Sequence, residues 1–291
     1  MSDTRAHAQR RKIFARAFSK SYLRQQYESS VRDLANNAVR RMAREARNSG
    51  ATDVLKWWTF MATDVSALLF FGDSFHMVET GQVNEYIRVL QAALKGGGIG
   101  AELPWIRAIL KFVPLKALQE TFRGNDFLLK YGLESRQMSE ASGDDRTIFA
   151  SANKEAQESG GAMDELDVLT EAQNLLVAGS DTTAVTLTYL VWAVLKHPYW
   201  QTELEREVGA LPESYGEGDL ETLPILNAII EETLRLYGAA PGGLPRIVPR
   251  GGTQLGQYMV PEGTIVTTQS YTLHRDPTQF PDPYRFALYL S

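Results

Sequence analysis

The chain has 291 residues, 44% of them hydrophobic and 22% charged, ordinary values for a globular protein able to bury a core of one or two domains. It has no cysteine, which excludes a disulfide and any thiolate metal ligand from these residues. The net charge of −5 is unevenly spread: residues 1–50 carry twelve Lys/Arg against four Asp/Glu, a net +8, and the other 241 residues carry −13.

Residues 5–26 predict a first, amphipathic helix. In it Arg10, Arg11, Lys12, Arg16 and Lys20 surround Ile13, Phe14, Phe18 and Leu23. Three readings of this basic start stand side by side. It fits a mitochondrial transit peptide. It fits a nucleic-acid-binding arm, which the acidic remainder disfavours. It also fits a solvated helix face whose apolar side is core. A second helix is predicted over Ser29–Arg47. Asp53 is placed to cap a third, rich in large apolar residues, that stops at Gly72. Gln82–Lys95 predicts a helix ended by Gly96-Gly97-Gly98. Residues 99–116, with Pro104, Trp105 and Pro114, predict a loop or short helix against a pocket or membrane surface. Leu118–Ser139 reads as helix again.

Two polar, glycine-containing stretches, Glu140–Arg146 and Gln157–Ala162, predict loops. Asp164 or Asp167 then caps a run over 165–197, about 50 Å long at the α-helical rise. Its central stretch is apolar on most sides, which predicts burial. Pro198–Leu211 and Pro224–Tyr237 predict two more helices. After Gly238 glycine and proline become frequent, with short β-prone pieces at Thr253–Val260 and Thr264–Ser270. No apolar run reaches about 18 residues without a charge, so no membrane-spanning helix is expected. The fold class expected is mainly α with a small β region, α+β: helical over about 5–237 and rich in strands and loops over 238–291.

Two segments carry candidate chemistry. The first is Ala178-Gly179-Ser180-Asp181-Thr182-Thr183, inside the longest apolar run. These are poorer helix-interior residues than Ala or Leu. Hydroxyls there can bond to the preceding turn's carbonyls and bend the helix. An acid beside an alcohol in such a notch makes a proton-delivery pair. The competing reading is that Ser180 or Asp181 caps a new helix, so that two helices meet here. The second segment is Glu232-Thr233-Leu234-Arg235. An i,i+3 acid–base pair is commonly a surface bridge. This one sits among large apolar residues, and burial would demand further partners.

The order Ala178–Thr183, Glu232–Arg235, Leu244-Pro245-Arg246-Ile247-Val248-Pro249, His274-Arg275-Asp276-Pro277, then Phe280-Pro281-Asp282-Pro283-Tyr284-Arg285-Phe286 resembles the cytochrome P450 family, most of all its filamentous-fungal members. The resemblance runs from about residue 6 to residue 286 and implies a P450-like fold, present as a single partial domain over 1–291. It implies a haem monooxygenase that hydroxylates or desaturates an apolar small molecule, in fungal secondary metabolism, with electrons from NADPH through a flavoprotein reductase. By the same resemblance Asp181 and Thr182 are the catalytic acid–alcohol pair. Ala178 and Gly179 lie over the haem face. His7 and Arg11, one turn apart, and Arg246 hold the haem propionates, which gives the basic start an anionic partner within the fold. Glu232 and Arg235 are a buried structural pair. His274, beside Arg275 and Asp276, would otherwise be a metal-ligand or base candidate; as a lone histidine with no second ligand nearby it is read as structural.

The family's pattern continues at both ends with segments these residues lack: the axial cysteine loop, a Pro-Glu-Arg-like segment that completes the Glu232–Arg235 network, and an N-terminal membrane anchor. The expectation is therefore a truncated chain without an axial ligand, inactive by itself, with its Glu232–Arg235 network short of a partner. No other metal site and no nucleic-acid partner is expected. The family is usually held at the endoplasmic reticulum membrane. No transmembrane anchor is read in this chain, which implies a cytoplasmic or peripheral location. The alternative is a non-catalytic remnant or a helical partner-binding protein.

Overall fold

The structure is a computed structural model, and it describes residues 4–85, 88, 103, 105, 146–158 and 163–288. Most of the expected helix over Gln82–Lys95, all of that over Leu118–Ser139, and most of the loops over 99–116 and before residue 146 lie outside those residues. The architecture is mostly helical with two small antiparallel sheets, so the α+β class holds. The chain gathers into two compact units, Met1–Ala184 and Val185–Ser291.

In the first unit, helix α1 spans Thr4–Ala15 and α2 spans Lys20–Ser49. The sequence pattern placed one helix over 5–26 and a break near Ser29; the break instead falls at residues 16–19. Ser19 takes extended angles and its hydroxyl accepts the Tyr22 amide, an N-cap that the apolar periodicity running through it conceals. The apolar side of the basic start is core: Ile13, Phe14 and Ala17 are buried. Helix α3, Val54–Phe71, has the predicted ends, with the Asp53 carboxylate accepting the Lys56 amide and Gly72 left-handed at the C-terminus. A one-turn helix α4, Met77–Thr80, follows, and α5 covers Ile148–Glu158. Two hydroxyls of α2, those of Tyr22 and Tyr27, both donate to the Arg146 carbonyl, at 2.7 and 2.8 Å, and so fix the entry to α5.

Helix α6 runs unbroken over Glu165–Lys196, with the Asp164 carboxylate accepting the Asp167 amide at 2.7 Å. The reading in which Ser180 or Asp181 starts a new helix does not hold: those residues are interior to α6. The expected burial of its middle holds in part: Leu169, Ala172, Leu176, Ser180 and Ala184 are buried, whereas Ala178, Thr182 and Thr183 are exposed, as are Tyr189, Trp192 and Leu195 towards its end. By length and composition α3 and α6 are each apolar enough to cross a membrane; more than half of α3 is buried in the protein, as in a core helix.

In the second unit, α7 spans Pro198–Gly209, the short α8 Glu217–Leu220 and α9 Pro224–Tyr237. Pro224 suits the first helical turn because it has no N–H to leave unpaired. The next two amides, of Ile225 and Leu226, are both taken by the Glu207 carboxylate of α7 at 2.9 Å. Four strands follow: β1 Gly243–Ile247, β2 Thr253–Leu255, β3 Tyr258–Val260 and β4 Ile265–Gln269. They pair as β1 with β4 and β2 with β3, so the two strands flanking Pro261–Thr264 are not each other's partners. The sequence reading missed β1, whose Pro245 disguises a strand that pairs on one side only. A final one-turn helix, α10, is Ser270–Leu273.

Candidate functional site

Four of the expected residues share one stretch of α6. Thr182 donates its hydroxyl to the Ala178 carbonyl at 2.6 Å, and Ser180 donates to Leu176 at 2.9 Å. These are the predicted bonds back to the preceding turn, which divert hydroxyls from side-chain partners. Asp181, half-buried, accepts no hydrogen bond and forms no ion pair among the described residues, and burial holds its carboxyl above the usual carboxylate range. A proton is thus easier to keep on this acid than on a solvated one. Ala178 is exposed on the same helix. Gly179 has a different setting: a Cβ there would stand 3.0 Å from the Ser66 hydroxyl oxygen of α3. The missing side chain lets α6 approach α3, a contact that the sequence pattern did not reveal.

His7 and Arg11 lie one turn apart on α1 and are exposed, whereas Ile13 and Phe14 near its end are buried. Neither has a partner among the described residues, in contrast to Arg10, which pairs with Glu171 at 3.1 Å and lies 3.9 Å from Asp167. All of these belong to the first unit.

Arg246, Glu232 and Arg235 belong to the second. Arg246 is exposed on β1, and its only described bond is to the adjacent Pro245 carbonyl at 3.1 Å. Glu232 and Arg235 are buried on α9, at 4% and 7% exposure, joined by two parallel bonds of 2.6 and 2.7 Å. Arg235 also donates to the carbonyls of His274 at 2.7 Å, Pro283 at 2.8 Å and Arg285 at 3.0 Å. That uses all five N–H donors of a guanidinium. Glu232 accepts the Ala287 amide at 2.8 Å, and Phe280 lies against the Arg235 guanidinium. Main-chain groups of residues 274–287 are the further partners that burial of this pair demands. His274 takes part through its main-chain carbonyl. Among the described residues no group of three or more His, Asp or Glu side chains is arranged to hold a metal ion.

Comparisons with known proteins agree with one another. The model of the Cytochrome P450 family matches residues 1–288. A cytochrome P450 monooxygenase of Aspergillus terreus, tazI, is 39% identical over 98% of this chain and 59% of its own length. One from Dothistroma septosporum, cypX, is 37% identical over 98% of this chain and 57% of its own. A methylphloroacetophenone oxidase of Cladonia uncialis is 32% identical over 97% of this chain and 66% of its own. A solved cyanobacterial structure with retinoic acid bound superposes with a TM-score of 0.75 at 20% identity, covering 97% of this chain and 60% of that one. The chain therefore spans about three fifths of the length of these curated relatives.

Proposed function

Since the chain belongs to the cytochrome P450 family, we propose that it is the distal and central part of a monooxygenase that oxidises an apolar small molecule in fungal secondary metabolism. The observation that carries this reading is the half-buried Asp181 beside Thr182 in an unbroken α6. An acid whose proton affinity is raised by burial, next to a hydroxyl anchored on Ala178, can pass a proton towards whatever lies against that face of α6.

The residues present fit one part of a haem and not another. His7, Arg11 and Arg246 are exposed bases with little or nothing to bond, and such groups suit propionate carboxylates. Ala178 is the small exposed residue for a flat ring to lie on, while Gly179 serves the packing of α6 on α3. An axial thiolate is not among these 291 residues, which contain no cysteine. When bound, a haem with a sulfur ligand supplies the electron push that cleaves dioxygen. These residues alone are proposed to turn over no substrate. Glu232 and Arg235 are proposed as the positioning pair that pins residues 274–287. Reducing equivalents from NADPH through a flavoprotein reductase follow the family.

The test is haem reconstitution of the 291-residue chain followed by a reduced-carbon-monoxide difference spectrum. The expected result is haem uptake that weakens in Arg11→Ala and Arg246→Ala, without a thiolate-type Soret band. Uptake unaffected by both substitutions overturns the propionate assignment, and a thiolate-type band overturns the inactivity.

A further inference from the structure

A concave site lies in the first unit, lined by none of the residues assigned above to haem or to proton delivery. A cleft of about 480 Å³ is bounded by α2 on one side and by the segment from Ser74 to α4 on the other. Arg40, Arg41 and Arg44 of α2 line it. So do the Ser74 hydroxyl, His76 and Glu79, with Leu34 and Val78 as an apolar wall.

The charges along α2 are the informative part. Arg44 has Arg40 four residues before it, Arg41 three before and Arg47 three after. Like charges at these spacings repel on a helix. The one acid close by, Glu45, is committed to α3: Lys56, the Trp57 indole and Thr52 all bond to it, and they hold its pKa at about 2. Among the described residues Arg44 therefore has no partner, and Arg40 has only the Asn37 side chain at 3.3 Å. Arg41 donates to the Glu79 carbonyl, which turns one guanidinium inward across the cleft.

The acids facing the cleft are mostly occupied. Asp64 is fully buried, accepts the Met77 and Val78 amides at 3.2 and 2.9 Å, and is pushed by burial towards its neutral form. Glu79 and Asp73 both face the ring of His76, at 3.2 and 3.4 Å. The cleft is thus lined by three guanidiniums against one exposed carboxylate, that of Glu79, and a concave wall with net positive charge focuses its field inward.

We propose that this cleft binds a phosphomonoester or diphosphate group. Guanidiniums match phosphate oxygens with paired donors, and the Ser74 hydroxyl adds one more. The volume exceeds that of a bare phosphate and is within the range of small-molecule sites, with Leu34 and Val78 left for the organic part. The group can come from a soluble nucleotide or sugar phosphate, or from the headgroup of an anionic lipid.

The experiment uses the 291-residue chain in low-salt buffer, with inorganic pyrophosphate and adenosine monophosphate titrated calorimetrically. In parallel, the chain is floated with phosphatidylcholine vesicles with and without phosphatidic acid. Saturable binding of a soluble probe identifies the free source, and flotation only with phosphatidic acid identifies the lipid source. In either arm Arg44→Ala weakens binding about tenfold, the loss of one charged hydrogen-bonding group. The double variant Arg40→Ala/Arg44→Ala abolishes binding. Arg47→Ala, on the same helix but outside the cleft, leaves it unchanged. The proposal is overturned if no probe binds, if the double variant binds like the parent, or if Arg47→Ala weakens binding as much as Arg44→Ala, which would mark diffuse attraction. None of these readouts involves haem, so the result stands apart from the oxygenase reading.

Discussion

Asp181 is a carboxylate with nothing to bond among the described residues and a pKa raised by burial. A group whose folded pKa exceeds its unfolded one adds stability below the unfolded value and loses it as pH rises through the folded value. Asp181→Asn is therefore expected to raise the melting temperature at neutral pH while leaving it unchanged in acid; a lower melting temperature at pH 7 would show that the charge is satisfied. Asp64 also has a raised pKa, yet its two oxygens accept two amides. Asp64→Ala leaves both amides buried without acceptors and is expected to cost about 2–4 kcal/mol, measured by urea unfolding. Glu45 has the opposite sign. Its pKa is pressed down to about 2 by Lys56, Trp57 and Thr52, so its contribution is present above its ordinary value of 4.5 and fades as pH falls from there towards 2. Glu45→Gln should flatten that part of the acid-stability curve.

At the scale of elements, the Gly179–Ser66 approach couples α6 to α3. Gly179→Val is expected to cost about 1–3 kcal/mol by overpacking. Adding Ser66→Gly should recover part of this, and an additive double-mutant cycle would show that the two helices do not meet there. Helix α9 carries the larger stake: removing either Glu232 or Arg235 strands a buried charge, at about 3–5 kcal/mol. Much at this scale was legible. Asp53, Gly72, Asp164 and Pro224 mark helix ends because caps and breakers act through their immediate neighbours. The break at residues 16–19 was not legible, since Ser19 interrupts an apolar spacing that continues through it. Nor was the second cap of α9, because Glu207 lies 18 residues from the Ile225 amide it accepts. The hydroxyl bonds of α6 were foreseen from type and spacing, whereas the α3 residue opposite Gly179 depends on packing that one helix does not encode.

For the whole molecule, motif order carried the family, while helical periodicity up to residue 237 and the glycine- and proline-rich texture after it carried the α+β class. It could not convey how the second unit closes around Arg235, which depends on main-chain positions. That unit also exposes Leu195, Tyr199, Tyr258, Met259 and Ile265, each more than 60% accessible. So much apolar surface favours self-association. Light scattering on the 291-residue chain should show oligomers that grow with salt, and Leu195→Glu together with Ile265→Glu should reduce them; a monomer at all concentrations would contradict this. The acceptors that Arg235 finds beyond Glu232 are carbonyls, not side chains. Evolution can therefore rewrite the side chains at positions 274, 283 and 285 while keeping the clasp intact. Selection there acts on the path of the polypeptide, and amide deuteration at Ala287, locked onto a buried carboxylate, would be among the slowest in this unit.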